Sequence, residues 1–147
     1  MNSGVYVVKA WLERNKRFSF YKPGSVKDRK YGKHKFSPGF YLYVGRAMRN
    51  LGARIRRHQM DKKAIHWHID RLLRKADGMM AFMYENYDAK NECRIAGEFM
   101  KKYDCVDGFG SSDCKCRSHL FYVSGITEKQ LDKVIKRVMD KICHKWK

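Results

Sequence analysis

The chain has 147 residues, which is enough for one domain with a hydrophobic core and too few for two independent cores. Hydrophobic residues make up 44% of the chain and aromatic residues 14%, so the composition excludes an intrinsically disordered protein. The 33 Lys and Arg residues outnumber the 15 Asp and Glu residues and give a net charge of +18, which indicates a polyanionic partner such as nucleic acid. A solubilising surface on a protein from an unusual cytoplasm is the alternative explanation of this charge.

The sequence lacks the patterns of membrane and secreted proteins. Residues 1–9 contain no cationic segment followed by an apolar segment, and no apolar run approaches the roughly 20 residues of a membrane-spanning helix. The five cysteines are an odd number, which favours a reducing compartment over a framework of disulfides. We therefore expect a cytoplasmic protein without a membrane partner, whose cysteines lie in the core or bind a metal.

Strand patterns dominate the beginning of the chain. Residues 4–12, 17–22 and 40–45 are rich in β-branched and aromatic side chains. The connection at residues 23–38 is basic and polar and contains glycines, which predicts a loop or hairpin that reaches toward nucleic acid.

Helical periodicity follows from residue 50 onward. Asn50 can cap a helix that runs to about residue 61, and the next helix has one apolar face made of Ile65, Ile69, Leu72, Leu73 and Ala76. Residues 79–85 and 119–124 are short strand candidates, and residues 92–103 have helical spacing again.

The last helix has the clearest signals. Thr127 and Gln130 form a capping box, and the apolar stripe that follows contains Leu131, Val134, Ile135, Val138, Met139, Ile142 and Trp146. This stripe predicts core packing, with a dimer contact or a partner groove as the alternative. The sequence thus predicts a single α+β domain over residues 1–147, with a small, mainly antiparallel sheet flanked by helices and a C-terminal amphipathic helix.

Two tripeptides lie in the first and third predicted strands. They are Gly4-Val5-Tyr6 and Tyr43-Val44-Gly45, and the second is followed by the helical segment Leu51-Gly52-Ala53-Arg54-Ile55-Arg56-Arg57-His58. In this order the motifs resemble the signature of the GIY-YIG nuclease superfamily, and the resemblance covers about residues 4–103. The connection between the motifs, residues 9–35, is longer than the short hairpin of that superfamily, which suggests a role in substrate binding.

Further segments resemble one largely archaeal branch of the superfamily, the Uri group, some members of which are fused to endonuclease III-like repair enzymes. The segments that carry this resemblance are Phe40-Tyr41-Leu42-Tyr43-Val44-Gly45, Arg57-His58, His66-Trp67-His68-Ile69-Asp70, Glu92-Cys93, Gly108-Phe109-Gly110, and residues 113–120.

The resemblance implies a GIY-YIG-type endonuclease, a phosphodiester hydrolase that depends on Mg²⁺ or Mn²⁺. In the superfamily a motif tyrosine acts as the general base or as its partner, an arginine stabilises the transition state, and a helix glutamate binds the divalent metal. The matching residues are Tyr6 as the preferred base with Tyr43 in support, Arg54, and Glu92 as the Mg²⁺ ligand, with His58 as a proton acceptor. The resemblance leaves open which tyrosine acts as the base.

Helical geometry supports this placement independently of the resemblance. At about 100° per residue, Arg54 and His58 lie on the same side of their helix as Leu51 and Ile55, so they face the sheet. Glu92 lies on the apolar face of its own helix, where a carboxylate requires a counter-charge or a metal. Stabilisation of the positive N-terminus of that helix is the alternative role of Glu92.

A histidine-rich segment precedes the second helix. His66 and Asp70 stand four residues apart, a spacing that lets a carboxylate orient an imidazole or lets both bind one metal. A partly buried histidine hydrogen-bonded to Asp70 is the alternative. We therefore treat His66, His68 and Asp70 as candidates for supporting the site.

Cysteines near the C-terminal strand suggest a second metal. Cys114, Cys116 and His119, with Cys105 nine residues before Cys114, offer up to four ligands for Zn²⁺. The spacing differs from the common C-x-x-C knuckle, and buried core cysteines are the alternative. Cys93 and Cys143 are predicted to be core residues.

The sequence therefore predicts a metal-dependent endonuclease that acts on nucleic acid, DNA rather than RNA, in DNA repair or processing, and that works with a DNA-repair protein partner. A non-catalytic, zinc-bearing nucleic-acid-binding module is the alternative. The predicted nucleic-acid contacts are basic residues of the first connection and of the motif region, namely Lys33, Lys35, Arg46, Arg49, Arg56 and Arg57.

Overall fold

A five-stranded antiparallel sheet with helices on both faces organises the molecule. The computed structural model describes residues 2–60, 65, 67–85, 88, 90–111 and 114–143. Within these residues the elements are, in chain order, β1 (Gly4–Leu12), β2 (Lys16–Phe18), α1 (Val26–Tyr31), β3 (His34–Phe36), β4 (Gly39–Ala47), α2 (Leu51–Gln59), α3 (His68–Lys75), β5 (Gly78–Glu85), α4 (Asn91–Met100), β6 (Asp104–Cys105), β7 (Leu120–Val123) and α5 (Glu128–Cys143).

The strand order of the sheet is β5-β1-β4-β7-β6, and each neighbouring pair is antiparallel. Strands β2 and β3 form a separate two-stranded hairpin. The predicted α+β fold class and the C-terminal amphipathic helix are therefore confirmed. No helix in the described part of the chain combines the length and the apolar character needed to cross a bilayer.

The alternation of side chains along β1 creates two cores, one on each face of the sheet. Tyr6 and Val8 belong to a core that includes buried residues of the β2–β3 hairpin, α2 and α3. Val5 and Val7 belong to the core on the other face, which α4 and α5 cover. The two helices of the motif region and the helix that carries Glu92 thus lie on opposite faces of the sheet.

The register of β1 and β4 brings the two motif tyrosines together. Tyr6 lies opposite Gly45 and Tyr43 lies opposite Val8, so the tyrosines are diagonal neighbours on one face, with ring centroids 6.3 Å apart. A Cβ atom on Gly45 would lie 2.4 Å from the Cζ and hydroxyl oxygen of Tyr6. The glycine therefore leaves the space that the Tyr6 ring fills.

Two predicted helix starts are confirmed. The Asn50 side chain accepts a hydrogen bond from the Ala53 N–H at 3.1 Å, and α2 buries Leu51, Ile55 and His58 as the periodicity predicted. The capping box of α5 is also present: Gln130 N–H donates to the Thr127 hydroxyl, and Thr127 N–H donates to the Gln130 side chain. Trp146, the last residue of the predicted apolar stripe, lies outside the described residues.

The first connection differs from the prediction. Strand β2 ends at Phe18, and residues 26–31 form the short helix α1, which the sequence pattern did not indicate. The Ser25 side chain caps α1 by accepting from the Asp28 N–H, but α1 buries none of its residues. A helix without a buried face has no apolar periodicity, which explains why it was missed.

Two other differences concern element ends. The apolar pattern that began at Ile65 becomes helical only at His68, where α3 starts. The two-residue strand β6 was not predicted, because two residues are too few to form a recognisable alternation.

A buried lysine connects the sheet to α5. The Lys9 side chain is inaccessible to solvent, and its Nζ atom lies 2.5 Å from Glu128 and 2.6 Å from Asp132 on the first turns of α5. Two carboxylates at this helix N-terminus also interact favourably with the helix dipole. This ion pair fixes α5 against the face of the sheet opposite to the motif tyrosines.

His68 holds the loop that precedes β7. Its Nδ1 atom accepts a hydrogen bond from the Gly110 N–H at 2.9 Å, and its ring packs against Phe20, Tyr21 and Phe109. Burial, reinforced by the positive charges of Lys27 and Arg71, lowers the pKa of His68 to about 4. His68 is therefore a neutral hydrogen-bond acceptor at neutral pH.

We predict that Gly45→Ala lowers the free energy of unfolding by about 1–3 kcal/mol, because its methyl group would overlap the Tyr6 ring. Urea denaturation measures this loss. Gly97→Ala is the matched control, since the exposed Gly97 lies inside α4 and a Cβ there meets no atom within 4 Å. We expect this control to raise stability by about 0.5–1 kcal/mol. Equal effects at the two positions would contradict the close packing of Tyr6 on Gly45.

We also predict that His68 makes stability fall with acidification. Its pKa in the folded chain lies below the ordinary value of 6.5, so its contribution is complete above pH 6.5 and is lost as the pH falls toward 4. His68→Asn keeps an acceptor for the Gly110 N–H and removes the titration. Urea denaturation at pH 7 and pH 5 measures the free energy of unfolding at each pH. Between these two values it should fall by about 1 kcal/mol less in the variant than in the wild type, with solvent screening taken into account. An unchanged pH dependence would show that His68 is not the responsible group.

Candidate functional site

A cleft of about 650 Å³ lies where the motif strands, α2, α3 and α4 meet. Four residues predicted from the motifs line it: Tyr6, Tyr43, Arg54 and Glu92. The other lining residues are Arg46, Met48, Arg49, Trp67, His68 and Gly110. Tyr6 and Glu92, which are 86 positions apart in the chain, thus face one hollow.

The cleft forms where β4 loses one of its neighbours. Strand β7 pairs with β4 only from Phe40 to Tyr43, and the last cross-connection is a hydrogen bond from Val44 N–H to the His119 carbonyl. Beyond this point the described residues pair with β4 on the β1 side only. Helix α4 covers the opposite face of the sheet, and its first turn lies at this open edge, so Glu92 reaches the cleft that the tyrosines line.

Tyr6 is almost completely buried and contacts two basic residues. Its hydroxyl oxygen lies 2.9 Å from His58 Nε2, and the Arg54 guanidinium lies beside it. Burial raises the pKa of Tyr6 to about 12, although the charge of Arg54 acts in the opposite direction. A tyrosine that acts as a base at neutral pH requires neighbours that lower its pKa, but desolvation outweighs Arg54 here, so Tyr6 is a protonated phenol at neutral pH.

Tyr43 is buried, and its environment favours the protonated phenol. Burial raises the pKa of Tyr43 well above its usual value, and the nearby Tyr6 raises it further. Its ring packs against Gly110, where a Cβ atom would lie 2.8 Å from Tyr43 Cε1. Gly110 also has a φ of +68°, which favours glycine. Tyr43 therefore fixes the loop at the rim of the cleft.

A chain of buried polar groups extends from Tyr6 into the protein. His58 Nδ1 lies 4.0 Å from an Asp70 carboxylate oxygen, and Asp70 is fully buried. Arg57 donates to both Asp70 oxygens at 2.8 and 3.0 Å, and the Trp67 N–H donates to one of them. The order Tyr6–His58–Asp70–Arg57 places an imidazole between a phenol and a charge-paired carboxylate.

The partners within this chain differ from the predicted ones. The sequence paired Asp70 with His66, which lies outside the described residues, whereas the structure places Asp70 near His58. Arg57 was predicted to contact nucleic acid, but its guanidinium binds the buried Asp70. At about 100° per residue, Arg57 does not share the side of α2 that Arg54 and His58 occupy, and only the position of α3 reveals its partner.

Trp67 is a site residue to which the sequence assigned no role. The guanidinium carbons of Arg54 and Arg57 lie 4.5 and 4.4 Å from the centroid of its ring, within the range of cation–π contacts. Arg54 also donates from Nη1 to the Arg46 carbonyl at 3.0 Å. The Arg54 guanidinium is thereby held between a strand and an aromatic ring at the cleft.

Glu92 has cationic or ionisable groups on both sides. Its Oε1 atom lies 3.6 Å from Arg46 Nε, and its Oε2 atom lies 3.7 Å from His119 Nδ1. Its side chain is 12% exposed, so the carboxylate is still reachable from the cleft. A single reachable carboxylate fits Mg²⁺ or Mn²⁺, because such ions bind to one or two protein carboxylates and take their other ligands from water and substrate phosphates.

A second group of ligands stands next to Glu92 in the chain. Cys93, Cys114, Cys116 and His119 each offer a sulfur or nitrogen atom, and these atoms all lie within 4.8 Å of one another. This cluster, here called the Cys–His group, contains three of the four predicted zinc ligands. Its four soft and borderline donors could bind a metal ion such as zinc.

Cys105, the fourth predicted zinc ligand, does not belong to the Cys–His group. Its sulfur lies 3.5 Å from an Asp107 oxygen on the β6 side, and Cys93, which was predicted to be a core residue, takes its place in the Cys–His group. Cys105 is close to Cys114 in sequence, but Cys93 is brought there by the packing of α4. Asp113, which adjoins the cysteines in sequence, lies outside the described residues.

Of the remaining basic residues predicted to contact nucleic acid, some line the cleft and others lie elsewhere on the surface. Arg46 and Arg49 line it, and Arg56 is exposed on α2. Lys33 and Lys35 are exposed in the β2–β3 region, where Lys33 also lines a second hollow of about 510 Å³. Lys27, Tyr31 and Tyr21 line the same hollow; Lys27 and Tyr31 are exposed and Tyr21 is partly buried.

Comparison with known proteins gives one informative result. No curated protein and no solved structure matches the chain significantly. A family model described as "Domain of unknown function DUF123" matches residues 17–143, a range that includes Tyr43, Arg54, Glu92 and the whole Cys–His group, whereas Tyr6 precedes it. Because the match covers most of the 147 residues, the chain belongs to the DUF123 family.

Proposed function

We propose that this protein is a GIY-YIG-type, metal-dependent endonuclease that hydrolyses phosphodiester bonds in nucleic acid. The observation that supports this best is that Tyr6, Arg54 and Glu92 line one cleft although they come from three separate parts of the chain. Phosphodiester hydrolysis requires a group that takes a proton from water, positive charge near the phosphoryl oxygens and a way to stabilise the leaving oxygen. Tyr6 can take part in the proton transfer, Arg54 supplies positive charge, and Glu92 could hold a divalent ion that would stabilise the leaving oxygen.

Tyr6 and His58 together form the proposed base. As water attacks phosphorus, the Tyr6 oxygen takes the water proton while the Tyr6 hydroxyl proton passes to His58 Nε2, 2.9 Å away. This transfer avoids a free phenolate, which the pKa of about 12 disfavours. The bond between phosphorus and the leaving sugar oxygen breaks, and that oxygen takes a proton from solvent. Asp70 lies on the far side of His58 and stabilises the resulting imidazolium.

Arg54 and Glu92 supply the electrostatic part of the mechanism. The Arg54 guanidinium is held at the cleft by Trp67 and by the Arg46 carbonyl, so it is oriented before substrate binds. Glu92 is the residue that would hold Mg²⁺ or Mn²⁺, and such an ion, when bound, would supply positive charge to the reacting phosphodiester. Arg46, whose Nε atom lies 3.6 Å from Glu92 Oε1, is a second positive group at the cleft for a substrate phosphate.

DNA is the proposed substrate, rather than RNA, and repair or processing the proposed context, since the motifs resemble those of repair and homing nucleases. The charge of +18 and the arginines at the cleft support a polyanionic substrate. The long first connection, with Lys33 and Lys35 exposed, extends this basic surface. A DNA-repair protein as partner belongs to the same proposal and rests on the resemblance to the Uri group.

A non-catalytic nucleic-acid-binding module is the second candidate. It is favoured by the contact between Arg46 and Glu92, which neutralises the proposed metal ligand, and by the raised pKa of Tyr6. The same basic cleft would then serve only for binding.

We predict that the protein cuts DNA when Mg²⁺ or Mn²⁺ is added and that Tyr6→Phe and Arg54→Ala each slow cutting by about 10²–10³-fold. Glu92→Gln should abolish metal-dependent cutting, because the proposed ligand of the divalent ion is lost. Plasmid and branched duplex DNA, with RNA of the same sequences, are suitable substrates, and product formation over time gives the rates.

Two matched variants control for folding and contamination. Tyr41→Phe removes a hydroxyl from the same face of β4, where it donates to the Ser37 carbonyl, and Glu98→Gln removes a carboxylate from the same helix, where it pairs with Lys101 and Lys141. Both should cut at the wild-type rate. Metal-dependent cutting that is equal in all the variants, or tight DNA binding with no cutting by the wild type, would exclude the nuclease.

We further predict that Arg49→Ala weakens DNA binding and lowers the slope of log affinity against log salt concentration by about 1, because one phosphate contact is lost. Fluorescence anisotropy in the Glu92→Gln background measures binding without cutting. Lys133→Ala is the charge-matched control, since Lys133 is exposed on α5, which covers the other face of the sheet. An equal loss in this control would show that net charge alone, rather than the cleft, determines binding.

A further inference from the structure

The Cys–His group combines ligands from two distant parts of the chain. Cys93 lies in the first turn of α4, whereas Cys114, Cys116 and His119 lie just before β7. The four ligand atoms lie within 4.8 Å of one another, and Cys114 Sγ is 3.4 Å from His119 Nε2. All four residues are buried or partly buried, and the three cysteines are free thiols.

The chemistry of this set favours zinc. Tetrahedral zinc bound at about 2.3 Å to sulfur and about 2.0–2.1 Å to nitrogen holds its ligands roughly 3.3–3.8 Å apart. The distance of 3.4 Å between Cys114 Sγ and His119 Nε2 falls within that range, and the other pairs of ligand atoms are no more than 4.8 Å apart. Three thiolates and an imidazole are poor ligands for Mg²⁺, which prefers oxygen.

The surroundings of the group indicate what such an ion would hold together. Between β6 and β7 the described residues form neither helix nor strand, and single hydrogen bonds hold this segment, such as those from Gly108 N–H to the Arg117 carbonyl and from Gly110 N–H to His68. The same segment contains Gly110, which lines the cleft. A zinc ion would join this segment to the first turn of α4 and would thereby fix one wall of the cleft.

His119 connects the two sites directly. Its Nε2 atom faces Cys114, and its Nδ1 atom lies 3.7 Å from the Glu92 carboxylate. Its backbone is held as well: His119 N–H donates to the Phe109 carbonyl at 2.8 Å, and the His119 carbonyl accepts from Val44 N–H at 2.9 Å. A carboxylate that interacts with the second nitrogen of a zinc-bound imidazole is a common feature of zinc sites.

We propose that Cys93, Cys114, Cys116 and His119 bind one Zn²⁺ ion, and that zinc-bound His119 positions Glu92 in the cleft. The zinc site itself stands independently of the nuclease. The second part rests on the proposed function, since it concerns Glu92 as the ligand of the divalent ion. His119 is in this proposal a positioning residue.

The zinc site is tested by elemental analysis of the purified protein, together with Co²⁺ substitution, which reports tetrahedral thiolate ligation by its absorption spectrum. We expect one zinc per chain in the wild type and a loss of at least 10-fold in zinc affinity for Cys93→Ser and Cys116→Ser. Cys105→Ser and Cys143→Ser are matched controls that should keep the zinc. A wild type without zinc, or one whose clustered cysteines form a disulfide instead, overturns the site, and so does zinc loss in the Cys105→Ser control.

The link to Glu92 is tested by His119→Cys, which replaces the imidazole by a fourth thiolate. We expect this variant to keep one zinc per chain and to bind Mn²⁺ about 10-fold more weakly than the wild type, as measured by calorimetry on the zinc-loaded proteins. Glu92→Gln should lose the Mn²⁺ site altogether while it keeps the zinc. Equal Mn²⁺ affinity of the wild type and His119→Cys, or no Mn²⁺ binding by the wild type, overturns the link.

The outcomes separate this proposal from the nuclease. Zinc and Mn²⁺ binding as expected, without cutting of any DNA or RNA, would end the proposed function and leave both metal sites in place. Metal-dependent cutting by a wild type that contains no zinc would instead overturn the zinc site and leave the proposed function in place.

Discussion

The packing of the Tyr6 ring over Gly45 is the contact on which the geometry of the site depends. It requires the register in which Tyr6 faces Gly45 and Tyr43 faces Val8, and a shift by one residue would turn one tyrosine to the other face of the sheet. With this register fixed, both hydroxyls reach the same side, and α2 can bring Arg54 and His58 above them. Since a Cβ at position 45 would overlap the phenol, the glycine is a packing requirement of the tyrosine.

Beneath the cleft the buried polar groups interact with one another. Asp70 is fully buried, and such a carboxylate is costly unless it is paired. The two hydrogen bonds from Arg57 and the one from the Trp67 N–H supply that pairing and leave Asp70 near His58. The arrangement can receive a proton from Tyr6 without creating an isolated buried charge, because the imidazolium would lie beside a carboxylate.

Electrostatics at the rim of the cleft depend on Glu92. It is the carboxylate of the cleft lining in a strongly basic chain, and it lies between Arg46, which also lines the cleft, and His119, which belongs to the Cys–His group. A change on either side therefore alters the charge and the position of the group that is proposed to bind the divalent ion. The two candidate metal sites are adjacent because Glu92 and Cys93 are consecutive residues of one helix turn.

The sequence by itself determined the fold class, the face of α2 that carries Arg54 and His58, and the caps of α2 and α5, because periodicity and capping act between residues a few positions apart. It did not reveal α1, which buries nothing, nor the partners of Arg57, Asp70 and Trp67. Only the tertiary structure showed that Cys93, and not Cys105, belongs to the Cys–His group and that Glu92 lies near His119. Those contacts join segments from opposite faces of the sheet, so they depend on how far β7 extends along β4 and on where α4 begins, and no local pattern encodes either.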